Sequence, residues 1–318
     1  MRRALVVGID EYPFGPLGGC VTDAEAVAAL LERHDDGSKN FDVRKLTCPP
    51  EAITRASLRE AVTDLFGQPA EVALFYFAGH GTENDLGGFL VTPDASAYDE
   101  GVPMGDVITL ANKSVVSESI IIVDCCHSGH LGNDPVGPRD ANARVEIAEG
   151  VSILTASRST EPAIEAGGRG VFTSLLCSAL EGGAADVLGE AKIAGIYSYI
   201  DESLGSWQQR PLFKTHVSSL LSLRRCHAPL PLDKLRRIVN FFPGHDSEFQ
   251  LDPSFERTDA SAEPAKVELF DLLVALRNAR LVEVATHEHL YFAAIHSGAV
   301  RLTHLGRHYW RLVKEDRL

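Results

Sequence analysis

Two apolar segments of the sequence end in residues that are able to do nucleophilic chemistry. The run Val72–Ala78 is followed by Gly79-His80-Gly81, and the run Ser119–Val123 is followed by Asp124-Cys125-Cys126-His127-Ser128-Gly129. A free thiol has a pKa of about 8.5, so a cysteine nucleophile needs a base such as an imidazole close to it. If both runs are parallel strands of one sheet, the histidine and a cysteine meet beyond the strand ends, where α/β sheets bind ligands.

The elements that must hold these residues follow an alternating pattern. Short, nearly continuous apolar runs predict strands covered on both faces, and the amphipathic segments between them predict helices, which together indicate an α/β fold. Segments 82–105 and 131–150 are rich in turn-forming residues and are predicted to be long loops. The predicted strands are Ala4–Ile9, Val43–Thr47, Val72–Ala78, Ser119–Asp124, Val151–Ala156 and an edge strand around His216–Leu223; the predicted helices are Asp23–Arg33, Thr54–Phe66, Phe172–Leu180 and Ile196–Leu204.

A change of composition at Ala228-Pro229-Leu230-Pro231 predicts a boundary between a domain at 1–228 and a smaller one at 229–318. Residues 229–318 contain 12 Lys and Arg and 13 Asp and Glu, a net charge of -1, which leaves -13 of the total of -14 on the first domain. The smaller domain is predicted to be α+β. Its predicted elements are a helix at Leu232–Phe241, a helix at Lys266–Arg277, a strand pair around Leu281–Val284 and Leu290–Ile295, and a final helix from Thr303.

The two strand-end motifs resemble those of a known family. Gly-His-Gly after a strand, followed 46 residues after the histidine by the Cys of Asp-x-Cys-His-Ser-Gly, is similar to the caspase-like cysteine peptidases, and the second motif is closest to prokaryotic metacaspase-like proteins. The resemblance covers roughly Ala4 to Leu223. It implies an α/β/α sandwich around a mostly parallel six-stranded sheet, with Cys126 as nucleophile and His80 as its base. Cys125 is an alternative nucleophile, but adjacent strand residues point to opposite faces, which favours a core position for it.

The resemblance also carries substrate-binding residues over to this sequence. Gly81 and Cys126 match the residues whose backbone N–H groups form the family's oxyanion hole. Asp124, and Asp23 in the segment after the first strand, match two acids of the metacaspase S1 pocket, which implies peptide substrates with Arg or Lys at P1. The alternative roles are structural, since Asp23 suits a helix N-terminus and Asp124 the end of a strand. Ala78 stands where metacaspases often have a serine, so one polar S1 contact is missing from the sequence.

Charge and cysteine content limit the partners and the compartment. A formal charge of -14 disfavours nucleic acid and anionic membranes and favours basic substrates. The sequence contains no predicted membrane span or signal peptide, and its six cysteines are too sparse for a disulfide scaffold, so a reducing cytoplasm is expected. No cofactor or metal site is predicted. Many metacaspases bind calcium through loop aspartates, and Asp85, Asp94 and Asp99 are available for it, although they lack EF-hand spacing.

These observations predict a cysteine endopeptidase that cleaves after Arg or Lys. Arg139 and Arg144 are the basic residues of the predicted loop at 131–150 and are candidate processing sites. Because an unregulated peptidase harms its cell, we expect regulation, either by an upstream protease that processes a zymogen or by a regulatory protein bound to the second domain. The resemblance alone implies a role in bacterial cell death or defence against phage.

The smaller domain suggests a regulatory role. Its segment Leu302-Thr303-His304-Leu305-Gly306-Arg307-His308-Tyr309 resembles the end of a winged-helix domain. Its balanced charge favours protein interaction or autoinhibition over DNA binding. Two other function classes stay open at this point: a non-catalytic DNA- or protein-binding module on a caspase-like scaffold, and a thiol acyl-transfer enzyme such as a transpeptidase.

Overall fold

The structure is a computed structural model that describes residues 1–47, 53–85, 87–96, 99–125, 147–156, 165–166, 169–204, 210–217, 221–285 and 289–318. The described residues divide into two compact units. The first contains Met1–Asp186 and Glu190–His227, and the second contains Val187–Gly189 and Ala228–Leu318. The segment Val187–Gly189 therefore belongs to the second unit although it lies within the sequence of the first.

The first unit is built from apolar strands and amphipathic helices. None of the helices among the described residues has both the length and the apolar composition that crossing a membrane requires. The strands are β1 (Arg2–Gly8), β2 (Asp42–Leu46), β3 (Val72–Ala78), β4 (Gly81–Asn84), β5 (Gly87–Ser96), β6 (Asp99–Pro103), β7 (Glu118–Asp124), β8 (Val151–Thr155), β9 (Glu165–Ala166), β10 (Arg169–Gly170), β11 (Glu190–Lys192), β12 (Leu212–His216) and β13 (Ser222–Arg225). The helices are α1 (Cys20–Glu32), α2 (Arg55–Gly67), α3 (Met104–Asn112), α4 (Val171–Ser178) and α5 (Ile193–Leu204), and a π-helical turn at Ala179–Gly183 follows α4.

Six of the described strands form the central sheet, in the order β12-β8-β7-β3-β1-β2. All neighbours are parallel except the edge strand β12, which is antiparallel to β8. The predicted mostly parallel, six-stranded sheet is thus confirmed. The predicted position of its edge strand, 216–223, is wrong, because the edge strand is β12 (Leu212–His216). Phe213 of β12 stacks on Tyr197 with ring centroids 5.0 Å apart, and Leu223 lies in β13, which pairs with β11.

Helices cover both faces of the central sheet. Leu74 and Ile122 pack with α1, α4 and α5 on one face, and their neighbours Phe75 and Ile121 pack with α2 and α3 on the other. Both strands are buried along their whole length, which explains their unbroken apolar sequences. The result is the α/β/α sandwich that the sequence predicts.

The segment predicted as a loop at 82–105 is largely an antiparallel sheet. β5 pairs with β4 and with β6, and α3 follows directly. The prediction is wrong because glycines interrupt the apolar pattern of these strands. Gly101 illustrates the requirement: its φ is 141°, and a Cβ there would lie 2.1 Å from the carbonyl oxygen of Leu90.

The second unit contains a small antiparallel sheet in which β16 lies between β14 and β15. The prediction of a strand at Leu290–Ile295 is wrong, because this segment is a helix. Leu290, Ala293 and Ala294 are buried at helical spacing, and the side chain of His289 accepts the N–H of Tyr291 at the start of the helix. The elements are α6 (Leu232–Arg236), α7 (Ile238–Phe241), β14 (Glu248–Gln250), α8 (Pro264–Asn278), β15 (Val282–Val284), α9 (Leu290–Ile295), β16 (Ala299–Leu302) and α10 (His304–Lys314).

The Leu-Thr-x-x-Gly-x-x-Tyr segment has a local structural explanation. Thr303 Oγ1 accepts the N–H of Gly306 at 2.9 Å and donates to the carbonyl oxygen of Arg280 at 2.7 Å, so it caps α10. A Cβ on Gly306 would lie 1.9 Å from the carbonyl oxygen of Leu281. Glycine therefore lets the start of α10 contact the backbone before β15. The winged-helix assignment itself stays a prediction.

Candidate active site

β3 and β7 lie side by side and end at the same edge of the sheet. Their parallel register pairs Ala78 with Asp124, an offset of 46 residues. His80 and Cys126 are separated by the same number of residues in the sequence. His80 is half-buried, and Cys126 lies outside the described residues. The two predicted dyad residues therefore follow the ends of neighbouring strands by the same number of positions.

The imidazole of His80 is held in a defined orientation. Its Nε2 lies 2.6 Å from the carbonyl oxygen of Gly15. A carbonyl oxygen only accepts hydrogen bonds, so Nε2 carries the proton and Nδ1 keeps the lone pair that can accept one. The backbone N–H of His80 donates to Tyr12 Oη at 3.0 Å, and the two rings meet edge to face with centroids 4.6 Å apart. In this orientation Nδ1 of the neutral imidazole is not engaged by the Gly15 carbonyl and can accept a hydrogen bond.

The segment between β1 and α1 brings the Gly15 carbonyl to the imidazole. Asp10, two residues after the end of β1, accepts the backbone N–H groups of residues 19–21 at 2.7–3.3 Å and so caps the N-terminus of α1. The N–H of Leu17 donates to the carbonyl oxygen of Asp10 at 2.8 Å. Sequence reasoning missed Tyr12 and Gly15, because their contacts with His80 depend on tertiary packing and the Gly15 contact uses a backbone carbonyl. The acid after the first strand was the available signal.

Asp23 and Asp124 converge on one point of the backbone. Asp23, on the first turn of α1, is 2% exposed, and Asp124, at the end of β7, is 8% exposed. The N–H of Gly170 donates to Asp23 Oδ2 at 2.9 Å. A Cβ built on Gly170 would lie 2.6 Å from Asp124 Oδ2 and 3.1 Å from Asp23 Oδ2. The structure thus brings together the two acids that the sequence assigned to S1.

The buried acids affect the polar side chains around them. Thr173 Oγ1 donates to Asp124 Oδ2 at 2.6 Å and also contacts Tyr76 Oη at 2.6 Å. Burial, and next the charge of Asp124, raise the pKa of Tyr76 well above its usual value. Burial and the nearby carboxylates likewise raise the pKa of the Cys20 thiol far above its usual range. Cys20 therefore stays protonated at neutral pH and is a poor nucleophile.

The remaining predicted residues take different positions. Gly81 begins β4 next to His80 and pairs with Leu90. Cys125 is 1% exposed and packs in the core with Ile121. The candidate processing residues Arg139 and Arg144 lie outside the described residues.

The three aspartates considered for calcium are not assembled into a cation site. The N–H of Arg55 donates to Asp94, and its guanidinium contacts Asp99, while Asp85 is exposed in a turn. Across the described ranges, no group of three or more His, Cys, Asp or Glu side chains is arranged to hold a metal.

Comparison with known proteins identifies the family. The chain is similar to the crystal structure of a Geobacter sulfurreducens protein, with 18% identity and a TM-score of 0.52 over 71% of this chain and 99% of that chain, which shows a shared fold. No curated protein matches the sequence significantly. The family model of the caspase domain matches residues 1–220. The chain therefore belongs to the caspase-domain family and is a cysteine peptidase, a hydrolase of protein or peptide substrates.

Proposed function

We propose that this peptidase is a metacaspase-type endopeptidase that cleaves after Arg or Lys, with Cys126 as nucleophile and His80 as base. The observation that carries the proposal is the convergence of Asp23 and Asp124 on the backbone of Gly170. The strand register and the orientation of the imidazole support the assignment of the dyad.

The acid pair explains the choice of a basic P1 residue. Two carboxylates that are removed from water repel each other and favour a cation between them. An Arg side chain is long, always charged, and presents five N–H donors in a planar fork that suits carboxylate oxygens. An acidic P1 side chain would add a third negative charge to the same pocket. The first domain's charge of -13 adds a weaker, long-range attraction for basic peptides.

The proposed reaction has two steps. Nδ1 of His80 accepts the thiol proton of Cys126, and the thiolate attacks the carbonyl carbon of the P1 residue. The N–H groups of Gly81 and Cys126 stabilise the oxyanion, and the imidazolium then gives its proton to the departing amine. In the second step His80 takes a proton from water as the water oxygen attacks the thioester carbonyl carbon. The C–S bond breaks, the imidazolium returns the proton to the Cys126 sulfur, and the P1 carboxylic acid leaves and loses its proton to solvent.

Cleavage after Arg139 or Arg144 is the proposed processing step, since both residues match the proposed P1 preference. Intact-mass analysis tests its self-catalysed form: wild type is expected to lose intact chain that Cys126→Ala retains, and equal survival of both proteins rejects it.

We place the protein in a bacterial cytoplasm, where the second unit binds a regulatory protein in a cell-death or anti-phage pathway. This setting rests on the family resemblance and on the balanced charge of residues 229–318.

The proposed specificity is tested by turnover of peptides that differ only at P1, with Arg, Lys, Asp or Ala there, in the presence and absence of calcium. Wild type is expected to prefer Arg or Lys. Asp23→Asn and Asp124→Asn each remove one buried charge without changing side-chain shape and should lower kcat/KM for the Arg peptide by at least about 30-fold. Asp42→Asn, an exposed change on β2, is the matched control.

Three results would contradict the proposal. Preferred cleavage after Asp would reject the S1 assignment of both acids. Coupled peptides in place of hydrolysed ones would indicate a transpeptidase. A complete lack of turnover together with tight binding of DNA or a partner protein would favour a binding module.

A further inference from the structure

A cavity of about 490 Å³ opens beside the imidazole of His80. This volume is in the range of ordinary ligand sites, about 300–1,000 Å³. We call it the Phe14 cavity. Its lining includes Phe14, Gly15, His80, Val91, Ala95 and Glu100.

The wall of the Phe14 cavity next to His80 combines an exposed phenyl ring with Val91, which is hydrogen-bonded to Tyr12. Phe14 is 56% exposed, and its ring centroid lies 5.6 Å from that of Tyr12 and 6.2 Å from that of His80. Tyr12 Oη donates a hydrogen bond to the carbonyl oxygen of Val91 at 3.3 Å, and the backbone N–H of Val91 donates to the carbonyl oxygen of His80 at 3.0 Å. The phenyl ring therefore offers apolar area beside the imidazole that a bound side chain can cover.

The Phe14 cavity and the acid pair lie towards opposite faces of the central sheet. Asp23 belongs to α1, which packs with Ile122 on one face. Tyr12 and Val91 belong to the core of the other face, with α2 and α3. His80 follows the end of β3 and borders the cavity directly. A peptide with its P1 side chain at the acid pair therefore passes His80 before it reaches the Phe14 cavity.

We infer that the Phe14 cavity binds the side chain of the P1′ residue and selects a large apolar one, such as Leu, Phe or Met. This inference rests on the proposed function, because it uses the proton that His80 gives to the departing amine. That amine is the N-terminus of the P1′ residue, so the P1′ side chain lies next to the imidazole when the peptide bond breaks. Contact with Phe14 and Val91 then removes apolar surface from water, which glycine at P1′ does not provide.

The test uses the full-length protein and internally quenched peptides that combine Arg, Asp or Ala at P1 with Gly, Glu, Leu or Phe at P1′, with cut sites read by mass spectrometry. We expect kcat/KM for Leu or Phe at P1′ to exceed that for Gly by about tenfold or more. The two positions are read separately. A loss of the Arg preference with a retained P1′ preference rejects the proposed P1 specificity alone, whereas equal rates for Gly, Glu and Leu at P1′ overturn this inference alone.

Variants of the cavity wall are compared by one ratio, the kcat/KM for the Leu peptide divided by that for the Gly peptide. Because both values come from the same protein, this Leu-to-Gly ratio does not depend on the amount of active enzyme. Phe14→Ala removes the exposed phenyl and should reduce the ratio to about threefold or less. Ala95→Phe fills the cavity and should lower the ratio further, towards a preference for Gly. Phe292→Ala removes a phenyl of similar exposure, 50%, from the second unit and should keep the wild-type ratio. A wild-type ratio in both cavity variants would overturn the inference.

Discussion

The orientation of His80 depends on two groups that take no part in the reaction themselves. The Gly15 carbonyl fixes which ring nitrogen is protonated, and Tyr12 Oη accepts the backbone N–H of His80 while it donates to the carbonyl oxygen of Val91. Burial raises the pKa of the Tyr12 hydroxyl far above its usual value, so it keeps its proton throughout the working pH range. Tyr12 is therefore a positioning residue for the imidazole.

Tyr12→Phe tests this role. The change leaves the His80 N–H without its acceptor and should lower the free energy of unfolding by about 1–2 kcal/mol. We expect kcat to fall about tenfold with little change in KM, because a shifted imidazole affects the reaction more than binding. Steady-state kinetics and urea denaturation measure the two effects. Tyr197→Phe, which keeps the ring stack on Phe213, is the control, and an unchanged kcat in Tyr12→Phe would contradict the role.

The sequence identifies the candidate site residues but not the groups that orient the imidazole of His80. His80, Asp23 and Asp124 follow from motif order, because each lies at the end of a strand or the start of a helix. Tyr12 and Gly15 act through a hydroxyl and a backbone carbonyl, 68 and 65 residues away from His80. Such contacts depend on tertiary packing, which residue spacing does not encode.

At the scale of elements, the acid pair is assembled from three segments. α1 supplies Asp23, β7 supplies Asp124, and β10 places Gly170 against both. Gly170 has φ -63° and ψ 131°, a conformation that any residue adopts. The requirement for glycine therefore comes from the adjacent carboxylates and not from backbone strain.

Gly170→Ala tests whether this point receives the P1 side chain. The methyl group would lie 2.6 Å from Asp124 Oδ2 and displace the carboxylates, so kcat/KM for the P1 Arg peptide should fall about tenfold or more. Gly105→Ala is the matched control, since no atom outside its own helix lies within 4 Å of a Cβ there. An unchanged kcat/KM in Gly170→Ala would place P1 binding elsewhere.

Strands with an unbroken apolar run were predictable from the sequence. Elements with glycines in the run, or with an apolar segment too short to separate a helix from a strand, were not. The buried strands β3 and β7 have the bounds that their apolar runs suggest, give or take a residue. β5 was missed because Gly87 and Gly88 precede its short apolar run. α9 was mistaken for a strand because a six-residue apolar segment fits either period, and only its burial pattern separates the two.

At the scale of the whole molecule, charge is distributed unevenly along the chain. The net -13 of residues 1–228 creates a negative field that would attract the proposed cationic substrates, and salt weakens such an attraction over a Debye length of about 10 Å at roughly 0.1 M. The proposed specificity therefore has two electrostatic components. The contact of P1 with the buried acids is screened little, and the long-range attraction is screened strongly.

Salt dependence separates these components. Two peptides share Arg at P1 but carry either lysines or neutral residues several positions away. Raising salt from about 0.02 M to about 0.5 M should lower kcat/KM of the lysine peptide about tenfold and that of the neutral peptide much less. Equal salt dependence of both peptides would show that the charge of the domain does not steer its substrates.

Cys126, and not the adjacent Cys125, is the proposed nucleophile of a peptidase specific for basic residues. The most direct measurement is turnover of the P1 Arg peptide by wild type, Cys126→Ala and Cys125→Ala, with the folded state of each verified by circular dichroism. We expect Cys125→Ala, a change in the core, to retain turnover and Cys126→Ala to lose it completely. Turnover that survives in Cys126→Ala would show that Cys126 is not the nucleophile.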